Sequence, residues 1–120
     1  MAHPITYLEL HTVDPSRAKS FYTELFGWQT KDTPIPEIGA YTEIQPGEGP
    51  QGGLMKQMEP GARSAWLVYV KVPALDESVA RAQKLGARVV APRTEIPEVG
   101  FFAVLDDPTG ARFAVFEPKR

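Results

Sequence analysis

The chain carries the stretch IPEIGAY at residues 35–41 and repeats it as IPEVGFF at residues 96–102. Gly39 of the first copy corresponds to Gly100 of the second, an offset of 61 residues. Each copy follows a strand-like stretch, a helix-like stretch and a glycine suited to end a helix, in the same order. The repeat therefore predicts two related modules, at about 1–58 and 64–120, with a linker at about 59–63.

The first module opens with a predicted strand and helix. Residues 5–11 alternate between two faces, one of which carries Tyr7, Glu9 and His11. Asp14 suits the N-cap of the helix, because its side chain can accept a hydrogen bond from a free N–H group of the first turn. The Pro, Gly and β-forming residues that follow the helix predict short strands and turns.

The second module repeats this plan. The sequence predicts a strand at 66–72, a helix at 76–85 and a further strand at 88–90. Gly27 and Gly86 are the predicted helix ends, because glycine tolerates the left-handed backbone found there.

Composition excludes several classes of protein. A chain of 120 residues with 42% hydrophobic content suits one globular domain. Its net charge of -2 and scattered basic residues argue against a nucleic-acid partner. No apolar run is long enough for a membrane span, and the N-terminus lacks the pattern of a signal peptide. With no cysteine there is no disulfide or thiolate metal site, and the simplest expected location is the cytoplasm.

Two stretches carry a family resemblance. Residues 7–28 read YLELHTVDPSRAKSFYTELFGW, and residues 99–114 read VGFFAVLDDPTGARFA. They resemble the opening strand and helix, and the closing hairpin with its Asp-Pro-x-Gly turn, of the vicinal oxygen chelate superfamily of glyoxalases, bleomycin-resistance proteins and dioxygenases. The resemblance implies an α+β fold. In it, two βαβββ modules form a curved mixed sheet around a cleft, with the helices outside.

Enzymes of this superfamily hold a divalent metal through side chains at four positions, two in each module. The resemblance places these positions at Tyr7, Gly53, Leu67 and Ala114. Leucine, glycine and alanine offer no donor atom and neutral tyrosine is a poor ligand, whereas a catalytic metal needs about three ligands from His, Asp, Glu or Cys. We therefore predict that the chain binds no metal and no other cofactor.

Glu9 and His11 are the remaining candidates for chemistry on the first strand. A desolvated Glu9 could act as a base or bind a cationic or hydroxylated ligand. It could equally be held by backbone N–H groups or by a basic residue of the fold, or reach solvent at the edge of the cleft. We expect His11 to be a surface residue or a partner of the helix cap.

The predicted cleft combines the vacated metal positions with their neighbours. Its expected ligand-binding residues are Tyr7, Glu9, Gly53, Met55, Leu67, Tyr69, Arg112 and Ala114. The aromatic candidates for a pocket wall are Trp28, Tyr41, Trp66, Tyr69, Phe101 and Phe102. Strand alternation favours Tyr69 for the cleft and Trp66 for the core. Arg112 could bind a ligand carboxylate or phosphate, pair with Glu9 or form another structural ion pair. Gly53 could permit close backbone approach or serve a bend in the strand.

These features predict a metal-independent protein that binds a small organic ligand without converting it. The alternative is a glyoxalase-like lyase or isomerase, or a dioxygenase-related enzyme, acting on a small oxygenated substrate. In the lyase or isomerase, Glu9 would be the general base and Tyr7 or Arg112 would polarise the substrate oxygen. A third interpretation is an interaction module whose cleft is filled by side chains. Because drug-binding members of the superfamily often use a cleft between two subunits, the resemblance also suggests a homodimer.

Overall fold

A computed structural model describes residues 2–36 and 39–120 of the chain. The contacts divide it into two compact units. The first, called the N-terminal unit below, is Tyr7–Leu67. The second, called the C-terminal unit, contains Val68–Arg120 together with the segment that ends at Thr6.

The N-terminal unit is a four-stranded sheet with one helix. Its elements are β1 (Ile5–Thr12), which begins two residues before the unit, α1 (Pro15–Phe26), β2 (Gln29–Ile35), β3 (Gly39–Gln45) and β4 (Gln51–Lys56). The strands lie in the order β2-β3-β4-β1. β3 runs antiparallel to both of its neighbours, β2 and β4. β1 runs parallel to β4 and therefore also to β2, to which α1 connects it.

The C-terminal unit repeats this topology. Its elements are β5 (Ala65–Lys71), which begins three residues before the unit, α2 (Leu75–Lys84), β6 (Arg88–Ile96), β7 (Gly100–Asp106) and β8 (Arg112–Pro118). The order β6-β7-β8-β5, with β5 parallel to β8, matches that of the first unit strand for strand. The prediction of an α+β fold built from two βαβββ modules is confirmed.

The helix ends follow local sequence. The Asp14 side chain accepts a hydrogen bond from the backbone N–H of Arg17 at 3.1 Å, and Gly27 ends α1 with a φ of 70°. Helix α2 has no side-chain cap of its own at Ala74. Instead its first N–H, at Leu75, donates to the Glu117 carboxylate at 2.8 Å.

Each unit buries one face of its sheet against its helix. In the N-terminal unit the buried cluster is Leu10, Ile44 and Leu54, packed against Ala18, Tyr22 and Trp28. In the C-terminal unit it is Val72, Leu75, Ala103, Leu105 and Val115. Because side chains alternate along a strand, the residues flanking Leu10 point away from α1 and form a second face.

Two expectations about the elements need correction. Helix α2 begins and ends one residue earlier than the predicted 76–85, because Leu75 is buried in the core and is already capped by Glu117. The strand predicted at 88–90 continues to Ile96 through two register shifts, which accommodate the irregular middle of β6.

The repeat itself maps onto matching hairpins. Gly39 begins β3 and Gly100 begins β7, in the same place in each unit. Glu37 and Ile38 of the first copy lie outside the described residues. Neither helix within the described part of the chain is long and apolar enough to cross a membrane.

Candidate functional site

Four side chains form a hydrogen-bonded line on the face of the N-terminal sheet that points away from α1. The Tyr41 hydroxyl donates to Glu9 Oε2 at 2.6 Å, and its oxygen lies 2.5 Å from the Tyr7 hydroxyl. Because Tyr41 gives its single proton to Glu9, the Tyr7 hydroxyl is the donor in the second bond. His11 Nε2 lies 2.7 Å from Glu9 Oε1. We call Tyr7, Glu9, His11 and Tyr41 the polar network.

Strand register brings these residues together. Tyr7, Glu9 and His11 are alternate residues of β1 and share one face. Glu9 lies opposite Gly53 of β4, and Glu43 of β3 lies opposite the same glycine. Tyr41, two residues before Glu43 on β3, therefore shares the same face and can reach over β4 towards Glu9.

Gly53 makes the space that this reach requires. A Cβ atom added there would lie 1.8 Å from the Tyr41 hydroxyl oxygen and 2.6 Å from that of Tyr7. Both distances are far below van der Waals contact, so no side chain fits at this position while the tyrosines keep their places. The absence of a side chain at Gly53 is a condition for the polar network.

Burial and charge keep both tyrosines protonated. Burial, together with the nearby Glu9 carboxylate, raises the pKa of Tyr7 to about 12 despite its bond to Tyr41. The same two causes, burial first, raise the pKa of Tyr41, and its hydrogen bonds to Glu9 and Tyr7 add to the effect. Near neutral pH the network therefore presents hydroxyl donors beside a buried carboxyl group.

Comparison with known proteins gives the family. The family model for the glyoxalase-like domain matches residues 7–116. The chain belongs to the glyoxalase-like domain family. It is 37% identical over 110 residues to "Putative glyoxylase CFP32" of Mycobacterium tuberculosis and of Mycobacterium bovis. It is 28% identical over 126 residues to "Anthracycline biosynthesis protein DnrV" of Streptomyces peucetius.

These relatives are longer than this glyoxalase-like chain. The alignments cover 92% of this chain but 42% of the mycobacterial protein and 45% of the Streptomyces protein. The chain thus spans less than half the length of the curated relatives it matches.

Solved structures share the fold. The methylmalonyl-CoA epimerase of Mycobacterium tuberculosis superposes with a TM-score of 0.71 at 16% identity, covering 97% of this chain and 88% of the epimerase. The hypothetical protein BH1468 of Bacillus halodurans gives a TM-score of 0.76 at 11% identity, covering 100% and 97%. At these identities the likeness shows the fold alone, and it supports the predicted vicinal oxygen chelate architecture.

The residues at the superfamily's metal positions do not fit a divalent metal. In the N-terminal unit, the Tyr7 hydroxyl keeps its proton and is bonded to Tyr41, and Gly53 has no room for a ligand side chain. Leu67 and Ala114 are buried apolar residues without donor atoms. Within residues 2–36 and 39–120, no group of three or more His, Asp or Glu side chains is arranged to hold a metal ion.

The structure distributes the predicted ligand-binding residues over both units. Tyr7, Glu9 and Gly53 meet in the polar network, and Met55 lies opposite His11 on the same face. Leu67 is the last residue of the N-terminal unit. The others lie in the C-terminal unit: Tyr69, Ala114 and Arg112.

Within the C-terminal unit these three residues have defined surroundings. Tyr69 lies opposite Ala114 across the β5–β8 pair and packs at 6.2 Å from the Phe102 ring. Arg112 makes two hydrogen bonds to the Asp106 carboxylate, at 2.8 and 3.2 Å. The role of these residues in ligand binding stays a prediction.

Two residues, His11 and Trp66, differ from their expected places. His11 hydrogen-bonds Glu9, whereas the cap region before α1 is served by Thr12 Oγ1, which accepts from the Asp14 N–H at 3.2 Å. Trp66, expected in the core, is 40% exposed, and Tyr69 is only 8% exposed. β5 carries both residues on opposite faces, and alternation alone does not tell which face is covered more fully.

Tyr41 completes the network, and only a weak sequence signal pointed to it. Tyr41 was one of six aromatic candidates for a pocket wall, and no contact between it and Glu9 was predicted. Its reach to Glu9 depends on the pairing of β3 with β4 and of β4 with β1, which a periodic pattern does not reveal. The sequence clue to this contact was a tyrosine on β3 together with a glycine on β4, the strand that separates β3 from Glu9.

Proposed function

We propose that this chain is a small-molecule-binding member of the glyoxalase-like family that needs no divalent metal, with the polar network as its binding site. The observation that carries the proposal is the position of the Tyr41 hydroxyl. It takes the space of a side chain at Gly53, where the superfamily resemblance places a metal ligand, and it donates to Glu9. Hydrogen-bonding groups thus stand where metal donors are expected.

The network favours a ligand with a hydroxyl or amino group beside an apolar part. Glu9 is a buried acceptor that can attract such a donor, and the protonated Tyr7 can donate to a ligand oxygen when its hydroxyl turns from Tyr41 to the ligand. Met55 lies on the same face opposite His11 and adds a flexible apolar side chain for the rest of the ligand. Binding of this kind uses hydrogen bonds for orientation and apolar contact for affinity.

The metal part of the proposal is tested by elemental analysis. The purified chain is incubated separately with nickel, zinc, manganese and ferrous iron and then dialysed exhaustively. We expect a metal-to-chain ratio near zero for all four metals, because the residues at the metal positions lack donors. A ratio near one that falls in Glu9→Gln or His11→Gln would show that these residues bind a metal, and the proposal would be wrong.

The binding part is tested by thermal unfolding with matched probes. 2-Phenylethanol and phenethylamine carry a hydroxyl or an amine beside a ring, and ethylbenzene carries neither. We expect the first two to raise the unfolding temperature more than ethylbenzene does, since a ligand at about 100 times its Kd stabilises the folded state by about 2.7 kcal/mol.

Variants locate that effect. Glu9→Gln and Tyr41→Phe should reduce the difference between the polar probes and ethylbenzene. Tyr22→Phe, which removes a hydroxyl from the helix side of the same unit, is the matched control and should preserve it. A panel in which no polar probe stabilises the chain would favour the interpretation that side chains fill the cleft.

A second candidate function is favoured by the contact of Glu9 with His11. A carboxylate held at 2.7 Å from an imidazole and bonded to a tyrosine is an arrangement suited to proton transfer. Here Glu9 would take a proton from an oxygenated substrate, and Tyr7 would move its hydrogen bond from Tyr41 to the substrate oxygen. The name glyoxylase carried by the mycobacterial relatives supports this candidate.

Turnover of a dicarbonyl–thiol adduct separates the two candidates. If the chain is a binder, no turnover is detected with or without added metal. Metal-independent turnover that Glu9→Gln abolishes while binding is retained would establish the lyase or isomerase. Turnover that requires added metal would contradict both.

A further inference from the structure

The N-terminal unit carries a cleft on the other face of its sheet, beside α1. Its floor includes Leu8 and Ile44, which share the helix-side face with Leu10. Trp28 and Trp66 form walls, and the cleft has a volume of about 350 Å³. Because Glu9 and its partners point to the opposite face, the cleft is separate from the polar network.

The tryptophan walls are held at a fixed angle through Tyr22. The Trp28 ring stacks on Tyr22, with centroids 5.8 Å apart and planes at 12°. Trp66 meets the same Tyr22 ring edge-on, at 5.5 Å and 79°. The two indole planes are therefore close to perpendicular, and they form a preorganised aromatic corner.

The lining is apolar. Pro46 and Pro50 flank the loop between β3 and β4 and add rigid walls. Among the described residues that line the cleft, none carries a charged side chain, and the polar side-chain groups are the Gln51 amide and the two indole N–H groups. A charged ligand group would lose its hydration there without a compensating partner.

We propose that this cleft binds a neutral aromatic compound of two or three rings. A ring that stacks on one indole presents its edge to the other, and both geometries are favourable for aromatic pairs. The volume lies at the lower end of the range for small-molecule sites, about 300–1,000 Å³, which limits the ligand to a few rings. Such a ligand would also bury part of the Trp66 side chain, which is 40% exposed.

Tryptophan fluorescence reports directly on the cleft, because the chain has two tryptophans and both line it. The probe is N-phenyl-1-naphthylamine, a neutral three-ring dye that absorbs where tryptophan emits and fluoresces in apolar surroundings. We expect saturable binding of one dye per chain, with dye emission sensitised by tryptophan. The anionic counterpart, 1-anilinonaphthalene-8-sulfonate, has the same rings plus a sulfonate and should bind at least tenfold more weakly.

Variants assign the binding to the cleft, with Kd values measured by direct excitation of the dye. Trp66→Ala should raise the Kd about tenfold, which corresponds to about 1.4 kcal/mol. Phe21→Ala, an exposed aromatic of α1 that does not line the cleft, and Glu9→Gln should leave the Kd within about twofold. If circular dichroism shows that Trp66→Ala does not fold, Pro50→Glu replaces it, since a charge at this exposed position should also weaken dye binding.

Three outcomes would overturn the proposal. The first is equal affinity for the neutral and the anionic dye. The second is a Kd that Trp66→Ala and Pro50→Glu leave unchanged. The third is occupation of the cleft by a second copy of the chain: tryptophan emission would then shift with protein concentration, and dye affinity would fall as sedimentation velocity shows association.

Discussion

At Gly53, the backbone of β4 passes directly beneath the tip of Tyr41. In Gly53→Ala the new Cβ would lie 1.8 Å from the tyrosine oxygen and 2.4 Å from its Cζ, so the ring must move. We expect a loss of about 1–3 kcal/mol in the free energy of unfolding, the usual cost of overpacking. Chemical denaturation of the two proteins measures this loss.

A double-mutant cycle tests whether the cost comes from Tyr41. In a Tyr41→Ala background the obstructing ring is gone, and Gly53→Ala should then cost less than half as much. Tyr41→Phe would not relieve the contact, because the Cζ atom stays in place. Equal costs in the wild-type and Tyr41→Ala backgrounds would mean that Gly53 matters for another reason.

Tyr7 should make stability fall at alkaline pH. Its pKa is raised to about 12 in the folded state, whereas an unfolded tyrosine ionises at about 10. The contribution of Tyr7 is therefore fully present below about pH 10 and is lost as the pH rises through about 12. Denaturation of the wild type and Tyr7→Phe between these values should show a smaller decline in the variant, and parallel declines would contradict the assignment.

The positions of individual side chains were predicted correctly where they depend on a single strand. Alternation along β1 placed Tyr7 and Glu9 on one face, and both belong to the polar network. It could not show that His11 bonds Glu9, because that choice depends on side-chain conformation as well as on face. The relative cover of Trp66 and Tyr69 also depended on what packs on each side of β5, which the sequence pattern does not encode.

Asp106 connects three strands of the C-terminal unit at one end. It lies on β7 and binds Arg88 of β6 at 2.7 Å and Arg112 of β8 at 2.8 Å. Because these arginines are 71% and 37% exposed at the side chain, water screens the pairs, and Asp106→Asn should cost about 1 kcal/mol at neutral pH. Glu24→Gln, which removes a carboxylate from the exposed side of α1, is the control and should cost less than about 0.5 kcal/mol.

The contribution of Asp106 to stability should also depend on pH in the acidic range. Hydrogen bonds from Arg112 and Arg88 hold the pKa of its carboxyl below the usual value, so its contribution is present above about pH 4 and is lost as the pH falls further. The difference between the wild type and Asp106→Asn in urea unfolding should therefore shrink below about pH 4. A difference that stays constant with pH would show that the ion pairs are not its cause.

The two helices offer opposite tests of capping. Asp14→Ala removes the side chain that caps α1 and should cost about 1 kcal/mol. Ala74→Ser adds a capping hydroxyl to α2, which has none at this position, and should gain about 0.5 kcal/mol, a small value because Glu117 already binds the first N–H. Urea unfolding of the two variants and the wild type measures both changes, and a neutral Asp14→Ala would contradict the cap.

The helices were predicted well because the residues that determine most of their ends lie next to them in the sequence. Asp14 and Gly27 mark α1 within the residues next to it, and both markers are confirmed. For α2 the cap comes from Glu117, 42 residues away, so the predicted start was one residue late. The register shifts in β6 likewise arise from pairing with β7, and this explains why the strand was predicted too short.

At the scale of the whole molecule, the chain passes from one unit to the other inside two strands. The boundaries fall after Thr6, within β1, and after Leu67, within β5. The C-terminal unit also depends on the N-terminal segment through the bond from the Lys71 N–H to the Pro4 carbonyl at 2.9 Å. The sequence repeat predicted the two modules but not this exchange of the first residues, because strand pairing between distant segments leaves no periodic signal.

This connectivity predicts that the modules do not fold as separate chains. A fragment of residues 64–120 lacks the segment that carries Pro4, and a fragment of residues 1–63 ends before β5 begins. Chains of about 60 residues are already marginal, so each fragment should lack a cooperative unfolding transition by circular dichroism and should show few dispersed amide signals by NMR. The matched control is the full chain cleaved at a protease site inserted in the exposed linker near Gly61, which keeps every residue present and should retain the transition. Cooperative unfolding of the isolated 64–120 fragment would show that the segment before β1 contributes little, and the two units would then be independent folding modules.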